Sequence, residues 1–218
     1  MPVDIRLPFG AFNGGSLVAP DQSVIEAHRL APDVARRVLD LLAARGVDAW
    51  VFALGDWRLR NPCGPNVPLE RRTVGFDPLV VRGFEDVMGC IDKIVGVSDD
   101  HPLLGRIERE AQALVAGEAA IMLSQPSYLD VTHPKANKGD GVSALCARIG
   151  VDLARTAVIG DMFNDTAMFA RAGFSIAMGQ SPATVAALAD VVAGSNTENG
   201  FASAVDNFIL PRAARVGA

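Results

Sequence analysis

The feature that most constrains the fold is a short apolar run, 157–159, which ends at Gly160 and is followed at once by polar side chains. Asp161, Asn164 and Asp165 all lie within five positions of that glycine. A buried parallel strand brings polar groups to the rim of an α/β sheet in this way, and ligands bind at that rim. We expect Asp161 at the strand end, with Asn164 and Asp165 in the first turn of the next helix. Oxygen ligands suit Mg²⁺ and a helix N-terminus favours phosphate, so the segment predicts Mg²⁺ and phosphate chemistry.

Strands and helices alternate strictly after residue 134, which is typical of a parallel α/β sheet. Apolar residues at i, i+3, i+4 and i+7 over 142–149 predict a helix that ends at Gly150. Ser181 followed by Pro182 predicts a helix N-cap. The other predicted elements here are strands 156–159, 174–178 and 190–192, helices that end at 172 and 189, and a final helix through 201–208.

The middle region, 16–132, has the pattern of a small α+β unit with an antiparallel sheet. Before it, a weak strand over 3–12 ends at the turn sequence Asn13-Gly14-Gly15, and a hairpin around Pro20-Asp21 follows. Four prolines and mixed charge over 58–78 predict a long loop with little regular structure. The other predicted elements are helices 34–46 and 104–114 and strands 48–54, 93–97, 119–124 and 128–132.

Composition and charge argue against several classes of function. The 20 basic and 25 acidic residues leave a net charge of −5 without a basic run, so a nucleic-acid backbone is not the expected partner. The longest strongly apolar run, 49–54, is too short to span a bilayer, and the first residues carry no secretory signal pattern. The three scattered cysteines predict reduced thiols. These features predict a cytoplasmic protein without a membrane partner.

Four short motifs in the second half of the chain form a specific set: Asn137-Lys138-Gly139, Gly160-Asp161-x-x-Asn164-Asp165, Ala177-Met178-Gly179 and Asn199-Gly200. The set resembles the C-terminal half of Cof-type (subclass IIB) phosphatases of the haloacid dehalogenase (HAD) superfamily. Asn13-Gly14-Gly15 resembles that family's Asn-Gly-Ala turn, where the chain leaves the core for the cap. The resemblance implies an α/β fold: a partial HAD-type, Rossmann-like parallel core with an inserted α+β cap domain. It implies a core strand in 1–15, the cap in 16–133 and the C-terminal half of the core in 134–218.

The resemblance also implies roles for five side chains. Asp161 would coordinate Mg²⁺, and Asp165 would complete the metal site as the carboxylate that orients it. Lys138 would be the catalytic lysine that neutralises the phosphoryl group and the nucleophile. Asn164 and Asn13 would bind the substrate, Asn164 on the phosphate side and Asn13 at the junction of core and cap. Each residue also has a plainer interpretation, as a helix cap or first-turn residue, a solvated lysine or a turn asparagine.

One family motif is missing from the sequence. The resemblance places the nucleophile in an Asp-x-Asp-Gly motif on the first core strand, but no aspartate of this chain has another aspartate two positions later. We therefore expect a Mg²⁺-dependent phosphatase of small phosphate esters, such as sugar phosphates, that lacks its first βα units. Its family reaction would pass through an aspartyl-phosphate, and the chain as written would be inactive. A miscalled start codon and a true truncation both remain open as explanations.

Two other hypotheses stay open at this point. The chain could be a non-catalytic ligand-binding or regulatory remnant, which would bind Mg²⁺ or a phosphate ester without turnover. A half-sheet without its central strands would expose an edge and an apolar face, so such a remnant should be unstable alone or form a homodimer. The phosphorylation domain of an ion pump has a similar Gly-Asp-x-x-Asn-Asp loop, but the lack of a spanning segment argues against that reading.

Overall fold

The computed structural model describes residues 6–216, and the side chains of residues 6–213. The chain packs as two compact units: the segment through Ile25 together with the segment from Asn137 onward, and Glu26–Ala136 between them. The first residues of the strand predicted over 3–12 lie outside the described part. The domain limits predicted after 15 and after 133 stay predictions. Within residues 6–216, no helix has the length and apolar character that crossing a membrane requires.

Within residues 6–216, twelve strands and eight α-helices are joined by short 3-10 turns, loops and, between the last two helices, the π-helical segment Val205–Ile209. The strands are β1 Phe9–Ala11, β2 Ser16–Val18, β3 Val24–Ala27, β4 Asp48–Ala53, β5 Asp56–Leu59, β6 Leu79–Val80, β7 Ile91–Val97, β8 Ala120–Gln125, β9 Tyr128–Thr132, β10 Ala157–Gly160, β11 Phe174–Ala177 and β12 Val191–Val192. The helices are α1 Pro32–Ala44, α2 Val67–Val74, α3 His101–Val115, α4 Lys138–Ile149, α5 Thr166–Phe169, α6 Ala183–Ala186, α7 Gly200–Ala204 and α8 Leu210–Val216.

The discontinuous unit, through Ile25 and from Asn137 onward, contains the predicted parallel sheet. Its strands lie in the order β10-β11-β12, and both neighbouring pairs are parallel. Strand and helix side chains share a small apolar core, and α4 packs on α5. A separate sheet in the order β1-β2-β3 begins with an antiparallel pair. The predicted α/β class with a parallel sheet is therefore confirmed. The members of the small core are Val158, Phe169, Ala177 and Val185.

The middle unit, Glu26–Ala136, is built on a six-stranded sheet in the order β6-β5-β4-β7-β9-β8. All of its pairs are antiparallel except β5 with β6. One face packs against α1 and α3, whose apolar residues recur at helical spacing and become buried. The large apolar core of the chain lies between that face and these helices.

The other face of this sheet carries aromatic and charged side chains. The strand register places four residues opposite one another on four neighbouring strands: Trp57, Phe52, Lys93 and Thr132. Their side chains therefore point to the same side of the sheet. The Trp50 ring contacts the Trp57 and Tyr128 rings edge-on, with centroids 5.1 and 5.3 Å apart. Trp50, Trp57 and Tyr128, which we call the aromatic row, are all buried.

The prediction of a long loop with little regular structure over 58–78 was wrong. Strand β5 reaches Leu59 and forms a tight hairpin with β4 through Leu54-Gly55, both of which have positive φ. Helix α2 occupies Val67–Val74, with Pro68 in its first turn. Proline is accepted there because the first N–H groups of a helix have no intrahelical partner. The number of prolines therefore does not by itself indicate irregular structure here.

Two helix predictions in the discontinuous unit also need correction. The helix expected to run from the acidic segment to residue 172 is a 3-10 turn, Phe163–Asp165, followed by the short helix α5. Ser181 is not the N-cap of α6, because that helix begins at Ala183 and Pro182 occupies the cap position. The Ser181 hydroxyl is buried and has no hydrogen-bond partner among the described residues.

Candidate functional site

The acidic segment lies where β10 ends, at the carboxyl edge of the parallel sheet. Asp161 directly follows Gly160, the last residue of β10, and Asp165 closes the 3-10 turn that comes next. A Cβ atom at position 160 would lie 2.5 Å from Cβ and Cγ of Asp165. The glycine is therefore required by space, because the carboxylate of Asp165 is folded back against the strand end.

Asp165 is the buried hub of the site. Its side chain is only 4 % exposed. The N–H groups of Asp161 and Met162 donate to Oδ2 at 2.8 and 3.0 Å, and the Lys138 ammonium donates to Oδ1 at 2.5 Å. A buried carboxylate is costly unless it is paired and hydrogen-bonded, and here both oxygens are engaged. Asp165 thus fixes the backbone that carries Asp161 and the position of Lys138.

Lys138 is the first residue of α4, and the local sequence holds it there. The Asn137 side chain caps the helix by accepting a hydrogen bond from the Asp140 N–H at 2.8 Å. At Gly139, a Cβ atom would lie 2.4 Å from the carbonyl oxygen of Ala167, so only glycine allows α4 to approach α5 this closely. The Lys138 side chain keeps about a third of its surface exposed (34 %) while its ammonium pairs with Asp165.

Asn13 and Asn164 form a second contact beside this network. Nδ2 of Asn164 donates to Oδ1 of Asn13 at 3.1 Å, across 151 positions of sequence. Asn13 has φ 58°, a left-handed conformation that asparagine tolerates better than most residues. Oδ1 of Asn164 is buried and accepts no hydrogen bond within the described part of the chain. An orphaned buried carbonyl oxygen is unusual and would suit a donor or a cation.

Asp161 contacts a residue that sequence reasoning missed. Nε2 of Gln180 donates to Oδ2 of Asp161 at 3.0 Å, and Oε1 of Gln180 accepts from the Asn196 N–H at 3.0 Å. Gln180 directly follows the motif Ala177-Met178-Gly179, and that motif begins at the last residue of β11. Because neighbouring parallel strands end at the same edge, its place after β11 was the available signal.

The structure supports one carboxylate ligand for a hard cation, rather than a preformed cluster. Within residues 6–216, no three His, Cys, Asp or Glu side chains are grouped as a metal site. Both oxygens of Asp165 are engaged by protein donors. Oδ1 of Asp161 accepts no hydrogen bond from the described residues, and Oδ1 of Asn164 is orphaned. Mg²⁺ characteristically takes one or two carboxylates and keeps several waters, so the donor set fits Mg²⁺ through Asp161, with Asp165 as the orienting group.

The aromatic face of the middle unit carries a second polar cluster. Lys93 pairs with the buried carboxylate of Asp130 at 2.6 Å. Burial raises the pKa of Glu70, which is also influenced by the charges of Lys93 and Asp130. Burial, with the nearby carboxylates of Glu70 and Asp99, raises the pKa of Tyr128 to about 12. These groups make the face ionic as well as aromatic.

The chain matches the protein family described as haloacid dehalogenase-like hydrolase over residues 2–205. Among curated proteins, the phosphoglycolate phosphatase of Haloarcula marismortui is 32 % identical over 109 residues, which cover 50 % of this chain and 46 % of that protein. The aligned regions span between 28 % and 51 % of the length of the first four curated relatives.

Solved structures share the fold at low sequence identity. A haloacid dehalogenase-like hydrolase from Bacteroides thetaiotaomicron superposes with a TM-score of 0.81 at 23 % identity, over 90 % of this chain and 74 % of that chain. The HAD subclass IIB sugar phosphatase BT4131 gives a TM-score of 0.79 at 20 % identity, over 92 % and 75 % of the two chains. The resemblance read from the motifs is thereby confirmed at the level of family and fold.

Proposed function

Because the chain belongs to the haloacid dehalogenase-like hydrolase family, we propose that it serves a Mg²⁺-dependent phosphatase reaction on small phosphate esters. Sugar phosphates and phosphorylated organic acids are the substrate classes that its relatives' names suggest. The observation that carries this proposal is the network of Lys138, Asp165 and Asp161 at the carboxyl end of β10. A fixed cation beside an oriented carboxylate suits a phosphoryl group.

Each side chain of the network has a role in the proposal. The Lys138 ammonium, held by Asp165, offers its remaining hydrogens to phosphoryl oxygens and stabilises their negative charge. Asp161 holds Mg²⁺, which supplies charge neutralisation of the phosphate when it is bound. The Asn164 carboxamide, anchored on Asn13, keeps a second N–H for the substrate. Asp165 fixes the Lys138 ammonium and the backbone at Asp161 and Met162 through its three hydrogen bonds.

The nucleophile is the part that these 218 residues do not provide. The family reaction that the resemblance implies forms an aspartyl-phosphate, and the sequence contains no Asp-x-Asp pair. We therefore propose that the 218 residues bind Mg²⁺ and phosphate ester but show negligible turnover unless that aspartate is supplied from outside them. Among residues 6–216, β10 is an outer strand of its sheet; its free side is one place where a second copy could dock, and a homodimer stays part of the proposal.

Binding and turnover should be measured on the same purified chain. We expect Mg²⁺ binding in isothermal titration, weakened by about tenfold or more in Asp161→Asn, because a metal-bound carboxylate is replaced by a neutral amide. Asp206→Asn, an exposed aspartate in the same unit, is the matched control. Hydrolysis of p-nitrophenyl phosphate and a panel of sugar phosphates should stay at background. Robust Mg²⁺-dependent turnover would contradict the missing-nucleophile part, and an unchanged titration in Asp161→Asn would contradict the metal assignment.

The absence of an Asp-x-Asp pair also favours a second candidate, a non-catalytic module that binds phosphate esters. The intact mass of the protein from its native source separates the two. A mass well above 22.9 kDa, with additional sequence that contains Asp-x-Asp-Gly, would support the phosphatase. A mass that matches 22.9 kDa would support the binding module.

A further inference from the structure

We propose that Gln180 is a positioning residue for Asp161: its carboxamide holds one oxygen of the carboxylate and anchors it to the loop at Asn196. The inference deepens the proposed function and rests on it, because it concerns how Asp161 is presented to Mg²⁺. None of the motifs that carry the family resemblance includes Gln180. The role follows from two hydrogen bonds, which run in opposite directions from one side chain.

The two bonds join three successive loops at one edge of the parallel sheet. Asp161 follows β10, Gln180 follows β11, and Asn196 begins the 3-10 turn after β12. Nε2 of Gln180 donates to Oδ2 of Asp161 at 3.0 Å, and the Asn196 N–H donates to Oε1 of Gln180 at 3.0 Å. The carboxamide of Gln180 therefore links the three loops at the carboxyl edge of the sheet.

The far end of this bridge is itself well fixed. The Ser195 side chain accepts a hydrogen bond from the Thr197 N–H and caps the turn that Asn196 opens. The N–H of Gly179, beside Gln180, donates to the Gly194 carbonyl at 3.0 Å. The loop that carries Gln180 is therefore held by backbone hydrogen bonds, although the Gln180 side chain itself is exposed.

The bridge determines which oxygen of Asp161 stays available. Gln180 holds Oδ2 of the carboxylate, and Asp165 holds the backbone N–H of the same residue, so both the side chain and the backbone that carries it are fixed. Oδ1 accepts no hydrogen bond from the described residues. Groups that orient a metal-bound side chain in this way commonly change metal affinity about 10- to 100-fold when they are removed.

Only a carboxamide can make both bonds at this position. A methionine of similar length would lose both, and a glutamate could accept from Asn196 but would place a second negative charge beside Asp161. Gln180→Met is therefore the informative variant. Because Gln180 is exposed, the substitution should leave the fold intact, which circular dichroism would verify. Gln125→Met, at an exposed glutamine in the middle unit, is the matched control.

The first readout is Mg²⁺ binding by isothermal titration of the wild-type chain and both variants. We expect Gln180→Met to weaken binding about tenfold and Gln125→Met to leave it unchanged. An affinity of Gln180→Met within about twofold of wild type would overturn the positioning role while leaving the proposed function in place. Wild-type protein that binds no Mg²⁺ would overturn the proposed function, and with it the role of Gln180 toward the metal.

The second readout needs no metal and tests the bridge directly. In amide hydrogen exchange of the metal-free chain, Asp161→Ala should accelerate exchange at Asn196 by roughly threefold or more, because Gln180 loses the partner that holds it. Asp206→Ala should have no such effect. Unchanged exchange at Asn196 in Asp161→Ala would show that Gln180 does not connect the two loops, and would overturn the inference whatever the Mg²⁺ titration gives.

Discussion

At the scale of single residues, the site depends on one buried carboxylate that serves three donors. Asp165 was predicted at the metal site from its place in the motif, and the structure shows which groups it orients. Asp161 and Asn164 were predicted beside it because they share its motif, and Lys138 because the separate motif Asn137-Lys138-Gly139 belongs to the same set. Gln180 could not, because a single glutamine after a strand has many uses and only its partners reveal this one.

Replacing the hub should destabilise the discontinuous unit. In Asp165→Asn, one side-chain oxygen becomes an NH₂ group that faces a donor, and Lys138 loses its charge partner. We expect a loss of about 2–4 kcal/mol in the free energy of unfolding, measured in urea by far-ultraviolet circular dichroism. Asp206→Asn should lie within about 0.5 kcal/mol of wild type. A loss of similar size in both variants would contradict a special role for Asp165.

Replacing Glu70 should stabilise the protein, whereas replacing Asp165 should destabilise it. The ionised Glu70 carboxylate is disfavoured because it is partly buried. Burial raises the pKa of Glu70, so the folded state binds its proton more tightly than the unfolded chain does. Its contribution to stability is then complete below the ordinary pKa of 4.5 and is lost as the pH rises through the raised pKa. Glu70→Gln should therefore stabilise the protein at pH 7, by up to about 1 kcal/mol.

The pH dependence tests this explanation. The advantage of Glu70→Gln over wild type in urea unfolding should shrink toward zero as the pH falls to about 4. Glu85→Gln, at an exposed glutamate in the same unit, should show neither the gain nor its pH dependence. A gain that persists unchanged at acid pH would mean that packing, and not charge, is responsible.

At the scale of elements, periodicity predicted well where one pattern dominated and failed where turn chemistry decided. Helices α1, α3 and α4 and most long strands lie close to their predicted positions, because their apolar residues follow one spacing. Strand β5 and helix α2 were missed. The hairpin turn before β5 uses Leu54, an unusual residue at positive φ, and α2 is short and begins with a proline. Neither signal is visible in hydrophobic periodicity.

The hairpin turn and helix α3 each contain a glycine, and the two glycines make a matched pair of substitutions. Gly55 has φ 85° with open space around its Cβ position, so Gly55→Ala should cost about 1–2 kcal/mol through backbone conformation alone. Gly105, in the middle of α3, also has open space, and Gly105→Ala should stabilise by about 0.5–1 kcal/mol. Urea unfolding of both variants gives the sign. Loss of stability in both would contradict the conformational argument.

Two histidines near the ends of the middle unit should make it sensitive to acid. The rings of His28 and His133 stack with centroids 5.4 Å apart. Burial, His28 and Lys135 lower the pKa of His133 below 6.5, so the unfolded chain binds that proton more readily. The contribution of His133 to stability is therefore complete above pH 6.5 and declines as the pH falls toward the lowered pKa.

The His133→Asn variant should flatten this part of the pH profile. We expect the decline in urea midpoint between about pH 7.5 and 5.5 to be smaller in His133→Asn than in wild type. His101→Asn, an exposed histidine at the start of α3, is the control and should keep the wild-type slope. Identical slopes in all three proteins would rule out His133 as the titrating group.

At the scale of the whole molecule, the sequence predicted a core interrupted by an α+β unit, because the motifs at either end match one family. The limits predicted for that unit, after 15 and after 133, stay predictions. Strand β2 pairs with β1, and the compact middle unit spans Glu26–Ala136. A hairpin belongs to whichever sheet its strands join, and local sequence does not reveal that choice.

The middle unit should fold without the rest of the chain. It has its own large core between α1, α3 and one sheet face, and the His28–His133 stack shows that its two ends lie close together. We expect a peptide of residues 26–136 to give dispersed amide signals in NMR and a cooperative thermal transition. A peptide that stays unfolded in the absence of denaturant would show that its core is insufficient alone.

The aromatic row has a spectroscopic consequence. Both tryptophans and the single tyrosine of the chain, Trp50, Trp57 and Tyr128, lie in the middle unit. Tryptophan and tyrosine fluorescence therefore originates from the middle unit only. The other unit, which carries the candidate site with Asp161, contains neither residue type. Fluorescence followed beside circular dichroism would resolve the unfolding of the two units without any label. A tryptophan introduced at the exposed Phe163 would give the discontinuous unit a fluorophore of its own, close in sequence to Asp161 and Asp165.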